Sequence, residues 1–341
     1  MGRGGFQRIL VTGASGFIGG WVAGSLVEKG YPVRALYRRQ QPTDTLERIR
    51  AAGAEVQRRD LVDPEDLRQC LEGVDALIHC AALARDWGRK EEYRIQNLEL
   101  TRSLAEQASR SGCRVFIFLS SLSVHGFGPH RNSTEEGPYY RYYNEYQATK
   151  KAAEQYVLGL DGPGLRVTVL RPGNVYGPGD TTTFYRLLAA QERGIRGTLG
   201  GGKRLTSPLY VEDLVQAVIL ALENEESGGQ VFNITSGEEV TWGELLSYSA
   251  GLLGVKPWLE LPLPAAWVAA YLCQWIFRLF RLKAEPPISP YRVAHLAWNF
   301  HFDIDKARVK LGYRPQMSWR EGLRRTVQGY LESKASASAP P

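Results

Sequence analysis

Short apolar runs alternate with helical patterns over the first half of the chain. Runs of about five residues with few polar positions predict buried strands at 8–12, 33–37, 76–80, 115–119 and 166–170. A weaker run predicts a further strand at 55–57. The segments between the strands have helical periodicity, most clearly at 17–29, 91–111 and 144–160. Strands that are apolar on both faces and alternate with helices predict an α/β fold with a doubly wound parallel sheet.

The pattern becomes irregular after about residue 175. Loops and helices predominate there, with one short strand predicted at Gln230–Ile234. We therefore predict a doubly wound sheet domain over 6–175 and a smaller, mixed substrate-binding lobe over 176–332 that interleaves with it. The last segment, 333–341, is small, polar and Pro-ended, which predicts a disordered tail.

The composition excludes several classes of protein. Apolar residues make up 43% and charged residues 23% of the chain, which excludes wholesale disorder. The net charge of +6 divides into +5 over 1–60, +7 over 272–341 and −6 between them, so the acidic middle argues against a nucleic-acid binder. Four widely separated cysteines lack metal-ligand spacing, so neither a zinc site nor a disulfide framework is expected. No apolar signal segment precedes the first strand, so a cytoplasmic location is expected.

A glycine-rich turn directly follows the first strand and opens the first helix. Glycines there let the backbone approach a pyrophosphate, and the helix N-terminus supplies N–H groups. The spacing is GxxGxxG, and the alternative interpretation is an ordinary tight turn. The strand–turn–helix context favours a Rossmann dinucleotide site. Its predicted cofactor-binding residues are Thr12, Gly13, Ser15, Gly16, Phe17, Ile18 and Gly19.

The residues that end the second strand bear on the choice of cofactor. An acidic residue there would accept hydrogen bonds from the adenosine ribose, whereas this chain has Tyr37, Arg38 and Arg39. Two guanidinium groups favour a 2′-phosphate and therefore NADP, with NAD left open. The alternative is that both arginines are solvated. Asp60, after the third strand, either accepts a bond from the adenine amino group or caps its own turn.

A serine, a tyrosine and a lysine follow the glycine-rich turn in an order that has known chemistry. Ser120, Ser121 and Ser123 follow the fifth strand, and Tyr146 and Lys150 lie one turn apart on the next helix. A nearby ammonium is expected to lower the pKa of the tyrosine, which can then exchange a proton with an alcohol oxygen. Taken alone, the Tyr–Lys pair is common on solvated helix faces, and the ordered set of three is far more specific.

Motifs over nearly the whole chain resemble the extended short-chain dehydrogenase/reductase family, within the epimerase/dehydratase superfamily. The matching segments, in order, are 12–19, 60–61, 79–82, Asn97, 120–121, Tyr146 with Lys150, 171–179, 210–214 and 303–315. The similarity is greatest to the branch of 3β-hydroxysteroid dehydrogenase-like and dihydroflavonol reductase-like proteins. The segment that follows Ser121 lacks the acidic pair of a dehydratase, so dehydratase chemistry is not expected.

The resemblance implies a set of functional residues and an assembly. Ser121, Tyr146 and Lys150 would be catalytic, with Tyr146 and Lys150 also contacting the cofactor. Further cofactor contacts would come from Leu61, Cys80, Ala81, Ala82, Asn97, Pro172 and Asn174, where a structural amide is the alternative for Asn97. A homodimer through the helices at 91–111 and 144–160 is also implied.

The expected function is that of an NAD(P)-dependent oxidoreductase. It would interconvert a secondary alcohol and a ketone on an apolar small molecule, such as a sterol-like, isoprenoid or lipid substrate. One alternative is an NDP-sugar epimerase, and another is a non-catalytic protein that binds the cofactor.

A second apolar feature lies near the C-terminus. Seventeen residues without a charge separate Glu260 from Arg278, and Arg281 and Lys283 follow. A spanning helix needs about 20 apolar residues, so spanning is not expected. Two interpretations remain for 263–280: a buried helix of the second lobe, or an interfacial helix that attaches the protein peripherally to a membrane through 263–283.

Overall fold

The computed structural model describes residues 5–38, 43–194, 197–256, 259–282 and 284–338. The strands are β1 (Ile9–Thr12), β2 (Val33–Tyr37), β3 (Glu55–Arg58), β4 (Ala76–His79), β5 (Val115–Leu119), β6 (His130–Ser133), β7 (Arg166–Pro172), β8 (Asn174–Tyr176), β9 (Gly197–Leu199), β10 (Leu205–Thr206), β11 (Pro208–Tyr210), β12 (Gln230–Ile234), β13 (Val240–Thr241), β14 (Leu259–Leu261) and β15 (Phe300–Phe302). Seven of them form the central sheet in the order β12-β7-β5-β4-β1-β2-β3. Neighbouring strands in this sheet are all parallel, which confirms the predicted doubly wound α/β fold.

The α-helices are α1 (Phe17–Glu28), α2 (Asp44–Ala51), α3 (Pro64–Cys70), α4 (Lys90–Tyr93), α5 (Leu100–Arg110), α6 (Glu145–Leu158), α7 (Phe184–Glu192), α8 (Val211–Glu223), α9 (Trp242–Leu252), α10 (Leu263–Leu279), α11 (Pro290–Ala297), α12 (Asp305–Lys310) and α13 (Trp319–Ser338). α1, α2, α8 and α12 cover one face of the sheet, and α3, α5 and α6 cover the other.

Two hydrophobic layers explain why the strands are continuous apolar runs. Successive side chains of a strand point to opposite faces, so Ile9 and Val11 pack beneath α1 and α8 while Leu10 packs beneath α3 and α5. All three side chains are fully buried. A strand covered on both faces therefore has no position at which a polar side chain reaches water.

Two expectations about the second half of the chain are corrected by the structure. We predicted that Gln230–Ile234 belongs to the second lobe, but β12 pairs with β7 and forms an edge of the central sheet. The helix that precedes it, α8, also packs on the sheet. The disordered tail is the other correction, because α13 continues to Ser338 and Lys334 Nζ donates to both carboxylate oxygens of Glu192, at 2.9 and 3.0 Å. Residues 339–341 lie outside the described residues.

The remaining elements form the second lobe on the carboxyl side of the sheet. Short strands pair as β8 with β11, β9 with β14, β10 with β13 and β6 with β15. One apolar cluster of this lobe joins α7, α9 and α13 through Phe184, Leu245 and Leu323. The lobe is therefore packed against the edge of the sheet where parallel strands end, which is where ligands bind in such folds.

Candidate active site

The glycine-rich turn brings three elements into close contact. Gly13 has a φ of +72°, and a Cβ there would lie 2.9 Å from the backbone of Ala81, which follows β4. A Cβ on Gly19 would lie 2.3 Å from the carbonyl oxygen of Gly13. Only glycine fits these positions without displacing backbone.

The N-terminus of α1 is suited to an anion. Among the described residues no side chain caps its first N–H groups, and its first turn contains no acidic residue. Free N–H groups and the positive end of the helix dipole fit the pyrophosphate of a dinucleotide. The residues predicted for this site, Thr12, Gly13, Ser15, Gly16, Phe17, Ile18 and Gly19, all lie at this turn or in the first turn of α1.

The end of β4 is fixed by a chain of buried hydrogen bonds. The Thr12 hydroxyl accepts from the backbone N–H of Ala81 at 3.2 Å and bonds His79 Nδ1 at 2.7 Å. His79 Nε2 bonds the Thr101 hydroxyl at 3.0 Å, and burial lowers the pKa of His79 to about 3. Burial also raises the pKa of the Cys80 thiol to about 12. Cys80, Ala81 and Ala82 therefore form an uncharged wall beside the turn.

Asn97 holds the loop that follows this wall. Its Oδ1 accepts from the backbone N–H of Leu83 at 2.7 Å, and its Nδ2 donates to the carbonyl oxygen of Leu83 and to the Thr149 hydroxyl. The residue is buried and lies in a π-helical segment, Arg94–Glu99, between α4 and α5. These contacts correspond to the structural amide that the sequence analysis left open. The periodicity of 91–111 did not reveal the π-helical turn.

The residues at the ends of β2 and β3 lie at the surface. Arg38 is exposed and its guanidinium donates to Gln96 Oε1 at 2.6 Å, whereas Arg39 lies outside the described residues. Asp60 is exposed and accepts from the backbone N–H of Val62 at 3.3 Å, which is the contact of a turn cap. Tyr37 and Leu61 are half-buried against the two hydrophobic layers. Arg38 is thus the described basic group at the end of β2, where the sequence analysis expected a 2′-phosphate contact.

The three candidate catalytic residues come together at the carboxyl end of β5. Ser121 begins a 3₁₀ turn, Leu122–His125, and its hydroxyl accepts from the Ser123 hydroxyl at 2.9 Å. Tyr146 lies in the first turn of α6 and hydrogen bonds the Ser121 side chain. Lys150, one turn later, is buried, and its Nζ donates to the carbonyl oxygen of Leu119 at 2.5 Å.

The pKa of Tyr146 departs from the sequence-based expectation. Burial raises this pKa, and the hydrogen bond from Ser121 opposes the rise in part. Burial outweighs the nearby ammonium of Lys150, whose Nζ bonds the Leu119 carbonyl oxygen and lies 4.0 Å from the centre of the Phe118 ring. The predicted direction was therefore wrong. Burial also lowers the pKa of Lys150 to about 7, with Glu154 acting in the opposite direction.

Behind these residues lies a buried ion pair that the sequence analysis did not find. The guanidinium of Arg171 donates to both carboxylate oxygens of Glu154, at 2.9 and 2.5 Å. The Ser120 hydroxyl donates to the same carboxylate at 2.8 Å, and Arg171 Nη1 also bonds His125 Nε2 at 2.8 Å. The pair ties α6 to the ends of β5 and β7. A charged pair at these positions carries no distinctive spacing, so only the packing reveals it.

Pro172 and Asn174 continue the same edge of the site. Asn174 donates from its backbone N–H to the Ser207 carbonyl and from its side chain to the Thr206 hydroxyl, both at 2.7 Å. A Cβ on the intervening Gly173 would lie 2.4 Å from the Ser207 carbonyl oxygen. The segment that follows β7 is therefore held against the second lobe.

An aromatic cluster separates the candidate catalytic residues from α10. Tyr143 lies 5.7 Å from Trp267 between ring centres, and Phe127 lies 5.1 Å from Tyr291. Tyr291 is close enough to Tyr146 for each to affect the charge of the other, and burial raises the pKa of Tyr291 well above its usual value. Tyr291 therefore joins this cluster to Tyr146.

A groove of about 560 Å³ opens beside this cluster. It is lined by Arg141, Tyr142, Tyr143, Tyr271, Leu272, Gln274, Trp275, Arg278 and Pro290. Tyr291, the neighbour of Tyr146, directly follows Pro290 in the chain. The groove therefore has one wall from α10 and another from the segment that leads into α6.

Comparisons with known proteins place these features in a family. A model of the NAD dependent epimerase/dehydratase family matches residues 9–235. The chain is 30% identical to a 2-alkyl-3-oxoalkanoate reductase of Stenotrophomonas maltophilia, over 94% of this chain and 98% of that protein. It is 30% identical to a 3-beta-hydroxysteroid dehydrogenase of Mycolicibacterium neoaurum, over 95% and 92%. The structure of MoeE5 in complex with UDP-glucose and NAD superimposes with a TM-score of 0.76, at 28% identity over 96% and 99%.

Proposed function

This chain belongs to the NAD dependent epimerase/dehydratase family, and we propose that within it the protein is an NADP(H)-dependent oxidoreductase that interconverts a secondary alcohol and a ketone on an apolar substrate. The observation that carries the proposal is the grouping of Ser121, Tyr146 and Lys150 beside the glycine-rich turn. The aromatic cluster next to Tyr146 supports the apolar substrate.

Each of the three residues has a distinct part in the proposed reaction. When bound, the nicotinamide cofactor supplies or accepts the hydride. In the direction of reduction, the Ser121 hydroxyl donates to the carbonyl oxygen of the substrate, and Tyr146 transfers its phenolic proton to that oxygen. The Lys150 ammonium stabilises the phenolate that this transfer creates. With a pKa of about 7, Lys150 is able to return a proton to Tyr146 near neutral pH.

The groove supports a substrate that is largely hydrocarbon. Tyrosine, tryptophan and leucine side chains provide most of its lining, which is typical of sites for apolar ligands. Two of the relatives carry the names of enzymes for an alkyl-substituted oxoalkanoate and for a hydroxysteroid. We therefore place a sterol-like, isoprenoid or other lipid alcohol ahead of a sugar nucleotide.

The preference for NADP rests on Arg38, the described basic residue at the end of β2. A guanidinium there would form charge-assisted bonds to a 2′-phosphate. NADPH is expected to bind about tenfold or more tightly than NADH, and Arg38→Ala should remove most of that difference. Calorimetric titration measures both affinities, with Arg110→Ala at the exposed end of α5 as a matched control. Equal affinities for the two cofactors in the unaltered chain would contradict the proposal.

The catalytic assignment is tested by removing one hydroxyl. Tyr146→Phe should reduce turnover of ketones with NADPH by about 10²–10⁴-fold while leaving NADPH affinity nearly unchanged, because only the proton path is lost. Tyr156→Phe is the matched control, since Tyr156 lies on the outer side of the same helix and bonds Glu106. Retention of most of the activity in Tyr146→Phe would overturn the assignment.

The same preparation separates the alternative functions. An epimerase would interconvert UDP-glucose and its C4 epimer without net consumption of cofactor. A non-catalytic protein would bind the cofactor and turn over neither class of substrate. Consumption of NADPH with apolar ketones, and no change in UDP-glucose, is the result that we expect.

A further inference from the structure

α10 carries a continuous apolar face that the rest of the described chain does not cover. Its side chains at i, i+3, i+4, i+7, i+8 and i+11 are 43–62% exposed, and Phe280 and Leu282 extend the face beyond the helix. The face consists of Val268, Tyr271, Leu272, Trp275, Ile276, Leu279, Phe280 and Leu282. The described residues include thirteen large hydrophobic side chains that are exposed, and eight of the thirteen belong to this face. Such a concentration marks an interaction surface.

The opposite face of α10 is firmly attached to the protein. Ala266 and Ala270 are fully buried and pack with Val293 of α11. Trp267 and Phe277 also point inward, to Tyr143 and to Trp87 respectively. The helix therefore lies flat on the molecule, with one side chain layer against the protein and the other directed outward. No helix in the described ranges is long and apolar enough to cross a bilayer.

The charge around this face is positive. The sequence contains no acidic residue from 261 to 284, and Arg278 and Arg281 are exposed at the end of the helix. Arg141 lines the adjoining groove. Glu285, which follows the helix, and Asp86, which precedes Trp87, are both paired with Arg292. Anionic headgroups could thus pair with these basic side chains, because the segment 261–284 contains no carboxylate that would compete for them.

We propose that this outer face of α10 binds the surface of an anionic phospholipid bilayer. The apolar side chains would enter the boundary between headgroups and acyl chains, and Arg278 and Arg281 would contact lipid phosphates. Trp275 and Tyr271 suit this depth because their rings are apolar with one polar atom. A second copy of the chain is a less favourable occupant, because the segment 261–284 contains no acidic residue that could pair with Arg278 and Arg281 of the other copy.

The groove adjoins this surface, and the two together suggest a route for the substrate. This step of the argument rests on the proposed function. Tyr271, Leu272 and Trp275 belong both to the outer face and to the groove lining. A lipid-bound chain would therefore place the groove mouth at the bilayer, and a lipophilic substrate would enter from the membrane without crossing water. Bilayer binding itself requires no cofactor and no turnover.

Co-sedimentation of the full chain with vesicles tests the proposal directly. Vesicles of phosphatidylcholine with 30% phosphatidylglycerol, used at low salt, should bind the protein at least about tenfold more tightly than vesicles of phosphatidylcholine alone. The double variant Trp275→Ser with Ile276→Ser should lower binding at least about tenfold. Arg278→Gln should lower binding to the anionic vesicles about fivefold.

The matched control is Val309→Ser. Val309 is 82% exposed on α12, away from the outer face of α10, so its replacement should not change vesicle binding. Circular dichroism verifies that each variant is folded. Absence of binding to anionic vesicles at low salt would overturn the proposal, and so would equal binding by the double variant. A dimer that the double variant dissociates, without vesicle binding, would identify a second copy as the occupant and would also overturn it. Because no substrate is used, this result is independent of the turnover assay.

Discussion

Two apolar helices, α8 and α10, have opposite surroundings. α8 buries eight of its thirteen residues between the central sheet and α1, including Leu214 and Val218. α10 has seventeen residues and buries only Ala266 and Ala270. The apolar content of a helix thus indicates that it avoids water without indicating what covers it. The difference is set by neighbours: α8 lies on a sheet, and α10 has protein on one side only.

Acid should have the largest effect, and it acts on buried histidines that lie outside α10. Burial lowers the pKa of His79 and His125 to about 3 and that of His130 to about 4, whereas α10 contains no histidine. Histidines of the unfolded chain have pKa values of about 6.5, so below that pH the unfolded chain binds more protons than the folded chain. The buried neutral histidines therefore contribute fully to the free energy of unfolding above pH 6.5, and this contribution is lost as the pH falls toward 4. The free energy of unfolding should fall by up to about 4 kcal/mol per pH unit near pH 5. Urea titrations at pH 7, 6 and 5 measure it, and a constant midpoint would contradict the buried neutral state.

Truncation in α8 should have the next largest effect. Leu214→Ala removes a fully buried side chain beneath the sheet and leaves a cavity, so we expect a loss of about 2–5 kcal/mol in the free energy of unfolding. Urea denaturation at pH 7 gives the value. A loss below about 1 kcal/mol would mean that α8 is less closely packed than the structure indicates.

Overpacking the inner side of α10 should have a moderate effect. Ala270→Leu would force a larger side chain against Val293 of α11, at a cost of about 1–3 kcal/mol. The same urea titration applies. An unchanged stability would show that α10 can move away from α11, and the contrast between its two sides would then be lost.

Truncation on the outer side of α10 should have the smallest effect. Leu272→Ala removes a side chain that is 57% exposed, and alanine has a higher helix propensity, so the change in stability should stay within about 0.5 kcal/mol. Comparison with Leu214→Ala under identical conditions uses the same chemical change in both helices. A loss similar to that of Leu214→Ala would show that the outer side of α10 is covered in solution.

The sequence predicted what depends on local pattern and missed what depends on distant neighbours. The strands of the sheet and the turn at Gly13 were located correctly because each has a local sequence pattern. A strand that is buried on both faces is a continuous apolar run, and a backbone conformation that only glycine adopts requires glycine at that position. β12 was recognised as a strand but assigned to the wrong lobe, since its partner β7 lies far away in the chain. The direction of the Tyr146 pKa was missed for a similar reason: burial raises it, and neighbours such as Tyr291 come from distant parts of the chain. For α10 both interpretations fitted the periodicity. The structure shows that the helix is exposed along one face, and vesicle binding is the test of the interfacial interpretation.

The late position of β12 in the chain has a consequence for how the protein folds during synthesis. β7 ends at Pro172, and its partner begins only at Gln230. At about 5–20 residues per second, a ribosome needs roughly 3–12 s to make the intervening segment. Throughout that time the nascent chain exposes an unpaired, apolar strand edge, which readily pairs with other chains. The interval between these two strands is therefore the period of synthesis in which the edge of β7 is most open to pairing with another chain.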